Sequence, residues 1–330
     1  MATFLTTRRM APELAARIDA SVRGRARPNE GRAARSKALL VALARVAGVA
    51  IVIGVVLLVL GVRRSERREL ERSRSALLES VRAARASVTE RDLGAVGRVE
   101  AWLVRASEAY EGDFVADELR RPGAFSSVLA RPSVYVRGPI AQFGSDREIA
   151  EAALASLKDS FLVCLLEPPA ERTEKALLAK VRDSYSNGAE SHSPNARRLR
   201  DAQIGLPFLL PPWGARVEAA KSEEDLAPLR ELLEKAPIEG AKRALKASVL
   251  LFAMDEAGDA DAKTPTELDG ERPHWVRVGV VELDGAGKVL LRLRKRVDPS
   301  WVSQAKRPLY GGGIDGCALA FDVRAAAEAR

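Results

Sequence analysis

Few residues in this chain have both the type and the spacing that chemistry needs. The two histidines, His192 and His274, stand apart from each other and from the two cysteines. No His-Glu-x-x-His, Cys-x-x-Cys or Gly-x-Ser-x-Gly pattern occurs, which leaves metal-assisted and Ser-His chemistry with little to stand on. One constellation remains. Arg137, Glu167 and Asp255, with Glu256 beside it, each close an apolar run. In an open sheet, ligands bind beyond the carboxyl ends of parallel strands. A guanidinium and carboxylates meeting there could serve as acid, base or ligand clamp. Charged residues also end strands simply because solvent begins there, so both readings stay open.

A second set is basic. Arg292, Arg294 and Arg296 alternate along one strand-like segment, and Arg277 falls on its neighbour. Like charges stacked on one sheet face repel unless solvent or an anion screens them. The ladder is therefore either a solvated outer face or a docking surface for anionic headgroups, cell-wall polymer or an acidic partner. Other candidates fail on spacing. Gly285-Ala286-Gly287-Lys288 lacks the first glycine of a phosphate loop, since Glu282 stands five residues before Gly287, and Val289 replaces the hydroxyl residue. Asp255, Asp259 and Asp261 match no register of a calcium loop, because Lys263 occupies a ligand position in the best alignment. The run Gly311–Gly316 reads as a flexible loop without the strand–GxGxxG–helix context of a dinucleotide site. No cofactor or metal is expected.

The elements that would position these residues follow from hydrophobic period. Ser133–Arg137, stopped by Gly138-Pro139, reads as a strand, and so do the continuous apolar runs Phe161–Leu166 and Ser248–Met254. Helices are expected from Ser145 to Lys158, Thr173 to Tyr185, Glu223 to Lys235 and Ala241 to Ala247. A strand–helix–strand order from 133 to 166 suggests a parallel pair with a right-handed crossover. Trp275–Leu283 and Lys288–Val297 alternate on either side of Asp284-Gly285-Ala286-Gly287, which reads as a β-hairpin. The segment after Gly316, CALAFDV, is expected to start as a strand and end in an Ala-rich helix. Trp213, in a Pro-rich stretch, and Trp301 could be exposed anchors, although a Trp packed beneath such a loop is the commoner case.

Before all of this stands Val46–Val62, seventeen residues without a charge, extended to Ala38 with only Arg45 interrupting. A bilayer core of about 30 Å needs roughly 17–25 apolar helical residues, so this run is read as a transmembrane helix. A tail of 37–45 residues precedes it and no small-residue cleavage site follows before Arg63, so it is expected to persist as an anchor. The net charge of +8 is concentrated around this segment. Residues 1–45 hold 10 Lys/Arg against 3 Asp/Glu, residues 63–112 hold 11 against 9, and residues 113–330 hold 32 against 33. A nearly neutral C-terminal region argues against a general nucleic-acid binder. Counting flanking arginines favours a cytoplasmic C-terminal domain. Exporting ten basic residues of tail is costly, and large C-terminal domains cross regardless of charge, so the expected orientation is tail inside and domain outside.

Four regions result: a basic tail, largely disordered (1–37), a transmembrane helix (38–62), a helical stalk or αα-hairpin (63–112) and an α+β domain (113–330) with a mixed sheet of five to six strands, packed helices and a C-terminal hairpin. The stalk carries apolar stripes at Leu70, Leu77, Val81, Ala84 and Val88, then at Leu93, Val96, Val99, Leu103, Ala106 and Tyr110, with Thr89 as an N-cap between them. These pack on the domain or pair between chains. Cys164 and Cys317 lie in apolar contexts and read as buried free thiols; their pairing would require an oxidising compartment. Abundant Arg and Ala with little Asn and Ile suggest a high-GC bacterial source. The expected protein is a single-pass, inner-membrane-anchored binding or scaffolding protein of the bacterial envelope. A membrane-tethered enzyme using the strand-end charges, or a self-assembling envelope component, is the alternative. The bilayer is its expected partner.

Overall fold

The computed structural model describes residues 12–155, 160–187, 195–257, 273–297 and 307–329. By backbone contacts the chain divides into two compact units, Met1–Arg72 and Ser73–Arg330. Throughout its described part the first unit is helical, as most of α1 (Pro12–Arg85). From Arg45 on, this helix is long and apolar enough to cross a membrane, with a mean hydropathy of 2.7 in a window with none of its residues buried.

The second unit begins with the last turns of α1, where Leu77 is buried. A capping box follows: the Thr89 hydroxyl accepts from the Asp92 amide, and the Asp92 carboxylate accepts from the Thr89 amide. This satisfies two otherwise orphaned donors and starts the single turn α2 (Glu90–Leu93). Helix α3 (Ala95–Ser107) buries Val96, Val99 and Leu103, the stripe expected at helical spacing, within this unit's own core.

The sheet has six strands: β1 (Phe114–Val115), β2 (Ser133–Pro139), β3 (Ala196–Arg198), β4 (Val249–Asp255), β5 (His274–Glu282) and β6 (Lys288–Val297). Their order is β1-β6-β5-β4-β2-β3. Strand β2 runs parallel to both β3 and β4, while β4–β5, β5–β6 and β6–β1 are antiparallel. Helices cover both faces. Tyr135, Leu251, Ala253, Val276, Val278 and Leu293 face α6 (Ser160–Leu166), α7 (Glu174–Asn187) and α12 (Arg307–Glu328). Val134, Val136, Leu250, Phe252 and Met254 face α3, α5 (Asp146–Ala155), α8 (Leu199–Leu209) and α11 (Ile238–Leu245). Between α3 and β2 lies α4 (Ala124–Leu129). Two further helices complete the chain order, α9 (Pro211–Ala219) and α10 (Glu223–Lys235).

Four sequence expectations are corrected. Phe161–Leu166 is helical, so the parallel partners of Ser133–Arg137 are residues 196–198 and 249–255. Every side chain from Ser160 to Leu165 is buried, and a segment buried all round carries no period to separate helix from strand. The Cys317 segment is helical too. Cys317, Ala320, Val323 and Ala327 are all fully buried at spacings of three and four. The glycine run 311–316 is therefore helical backbone in α12, although glycine costs about 1 kcal/mol per residue against alanine there. Finally, the cysteines are not free thiols. Cys164 of α6 and Cys317 of α12 form a disulfide, with Cα atoms 5.1 Å apart.

Candidate functional site

Arg137 lies on β2 in register with Ala253, Asp255 ends β4, and His274 begins β5 opposite Val297. Because successive side chains alternate across a strand, Arg137 follows Tyr135, Asp255 follows Ala253 and His274 precedes Val276, all on the face beneath α6 and α12. There Arg137 donates from Nε to Asp255 Oδ2 at 3.1 Å and from Nη2 to Oδ1 at 2.9 Å. His274 Nε2 lies 3.2 Å from Asp255 Oδ1. Burial works to push the Asp255 carboxyl up, but the Arg137 guanidinium and the hydrogen bonds from His274 and Arg137 outweigh it and hold it below its ordinary range.

Helix α12 closes over this cluster at Gly316. A Cβ at that position would sit 3.0 Å from Ser160 Oγ and 3.3 Å from Arg137 Nη1, so glycine permits the approach. Asp315, the preceding residue, is buried as well. The result is a sealed polar layer tying β2, β4 and β5 together. The side chains of Arg137, Asp255 and His274 are only 3%, 9% and 6% exposed. A bidentate guanidinium–carboxylate pair of this kind fixes register and orientation. Among the described residues its side chains present almost no surface to solvent.

Glu167, the third sequence candidate, is elsewhere. It follows the C-terminal end of α6, seven residues beyond Ser160 and so about 10 Å along the helix. There it is half-exposed and accepts from Lys180 Nζ at 2.8 Å.

Three arginines of the ladder, Arg277, Arg292 and Arg294, make internal contacts, and Arg296 is exposed. Arg277 and Arg294 are direct cross-strand partners, and Glu256 sits between them. Arg277 Nε donates to Glu256 Oε1 at 2.7 Å, and Arg294 Nη2 to Oε2 at 2.6 Å. Burial raises the Glu256 carboxyl, but hydrogen bonds from Arg294 and Arg277 prevail and its pKa is lowered. Arg277 Nη1 also donates to the carbonyls of Ala106 at 3.2 Å, Ser107 and Glu108, placing a cation at the C-terminal end of α3. Arg292 donates to Gly112 O at 2.9 Å and to the Glu111 carboxylate. Arg294 further stacks 4.6 Å over Trp275, and Arg296 stands opposite that same Trp. The ladder thus fastens residues 106–113 and Glu256 to the sheet.

His274, which the sequence presents as an isolated loop residue, contacts Asp255, and Glu256, which stands beside Asp255 in the sequence, pairs instead with Arg277 and Arg294. The signal for His274 was present: it stands in phase with Val276, Val278 and Val280, which are buried. Trp213 is 3% exposed, edge-on to Phe208 at 4.4 Å, and so belongs to the core. His192, Asp259, Asp261, Lys263 and Trp301 lie outside the described residues. Among the described residues no group of three His, Cys, Asp or Glu could hold a metal ion. Comparison with protein-family models, curated proteins and solved structures returns no match.

Proposed function

We propose that this chain is a membrane-anchored binding or scaffolding protein of the bacterial cell envelope, held by one helix in the inner membrane, with residues 73–330 in the periplasm. The observation that carries this reading is the Cys164–Cys317 disulfide in the core of the second unit. Structural disulfides persist in oxidising compartments and are rare in the cytosol. The exposed apolar helix supports the anchor. Burial of Arg137, Asp255 and His274 favours a binding or scaffolding role over catalysis at those residues. Burial of Val96, Val99 and Leu103 within one chain leaves that stripe with no part in self-assembly.

Topology tests the proposal. A reporter active only in the periplasm, fused after Arg330, gives signal on this reading, whereas the same reporter before Met1 gives none. Thiol alkylation of the denatured protein without reductant leaves both cysteines unlabelled. Labelled cysteines together with a silent C-terminal reporter would place the domain in the cytoplasm and defeat the proposal.

A further inference from the structure

The buried stripe of α3 has an opposite side, and the chemistry there is unused. Arg98, Trp102 and Arg105 follow at spacings of four and three, which puts them on one helix face. They line a cleft of about 280 Å³ whose far wall is Leu283 and the turn Gly285–Gly287. Gly287 has φ +81°, and a Cβ there would stand 2.6 Å from Trp102 Nε1, so this glycine sets how closely the turn meets the indole. A smaller adjoining cavity shares Trp102 and Arg105 and continues onto Phe252, Val289 and Leu291.

The two guanidiniums differ from those of the ladder. Arg98 donates to the Arg91 carbonyl at 3.0 Å, and Arg105 lies 5.3 Å over the Trp102 ring. Among the described residues neither is paired with a carboxylate. The acids of the facing hairpin are already matched: Asp284 by Arg91 and Arg131, and Glu282 by Arg131 at 2.8 Å. Among the described residues the cleft therefore holds two cations without a carboxylate partner around an indole, and the recess beside them joins Phe252, Val289 and Leu291 to Glu111, whose charge Arg292 matches. Arg presents a planar fork suited to phosphate, and the indole and the recess suit the less polar atoms next to that phosphate.

We propose that this cleft binds the phosphate headgroup of an anionic glycerophospholipid, Arg98 and Arg105 holding the phosphate and Trp102 covering the glycerol. The source of the phosphate rests on the membrane-anchored reading above; the cleft's preference for an anion does not.

The test uses the full chain in a neutral detergent micelle, titrated with dioleoyl phosphatidylglycerol and read by native mass spectrometry. Dioleoyl phosphatidylcholine is the zwitterionic reference. The expected result is tighter binding of phosphatidylglycerol, weakened about tenfold by Arg105→Gln and further by Arg98→Gln with Arg105→Gln. Arg147→Gln, far out in solvent on α5, leaves it unchanged. Arg105 is exposed and its guanidinium lies over the Trp102 ring, so its single variant keeps the test sound should the double variant misfold. Equal binding by the wild-type chain and Arg105→Gln would overturn the proposal. So would equal affinity for soluble glycerol 1-phosphate, which would make the ligand a free phosphate ester. Neither outcome bears on the reporter experiment, so the two proposals fail separately.

Discussion

Removing the Cys164–Cys317 bond tests how the second unit is held together. The bond joins residues 153 positions apart, and in the chain-entropy description a loop of that length restricts the unfolded chain by about 17 cal/mol/K, or about 5 kcal/mol at 25 °C. That is a ceiling, and native disulfides commonly deliver about 2–4 kcal/mol. Both sulfurs are fully buried between α6 and α12, the two helices over the sealed polar layer. We expect Cys164→Ala with Cys317→Ala to lower the unfolding free energy of the full chain in detergent by about 2–5 kcal/mol. The assay is denaturant unfolding followed by tryptophan fluorescence, run in parallel on wild-type protein with and without reductant. Reduced wild type and the double variant should fall together. A loss below about 1 kcal/mol in both would refute the reasoning, because a closed loop of this length cannot be so nearly neutral unless the unfolded chain is already constrained.

Other consequences follow from the same geometry. Asp255→Asn removes the buried carboxylate that Arg137 and His274 both contact and should cost about 3–5 kcal/mol in the same unfolding assay. Acid should act through the same pair: the folded protein holds the Asp255 carboxyl below its usual value, so it binds fewer protons than the unfolded chain. Its contribution is therefore complete above about pH 4 and lost as pH falls through the folded value, and Asp255→Asn should flatten the stability profile in that window. Gly287→Ala meets both a positive φ and the Trp102 indole, and should cost more than about 1 kcal/mol while shifting tryptophan emission. Leu103→Ala, at a fully buried position of α3, should cost about 2–5 kcal/mol, because that helix belongs to the domain core.

How much of this could be read in the residues depends on burial. The amphipathic helix Glu223–Lys235 was legible to the residue, because Leu226 and Leu229 face inward while its charges face solvent, and Ser222 with Asp225 caps it. Strands β5 and β6 alternate for the same reason, one side buried and one side polar. Residues 161–166 and the start of CALAFDV read as strands because each is a short, almost wholly buried apolar run. Over six or seven such residues the period is silent, and packing between layers sets the conformation; α12 shows its helical spacing only over the longer run 317–327. In the polar layer, Arg137 and Asp255 were legible as strand-end charges, since their strands were.

Their pairing was not legible. It joins residues 118 apart and exists because the sheet order brings β2 beside β4. The same holds for Glu256 between Arg277 and Arg294, a pairing that sheet order and not local sequence sets. Local sequence reports whether a residue can tolerate water or a given backbone geometry, because those costs are paid within a few residues. Which charge meets which, whether two cysteines meet, and which arginines are left over are set by strand order and helix docking, and those arise from contacts between residues far apart along the chain.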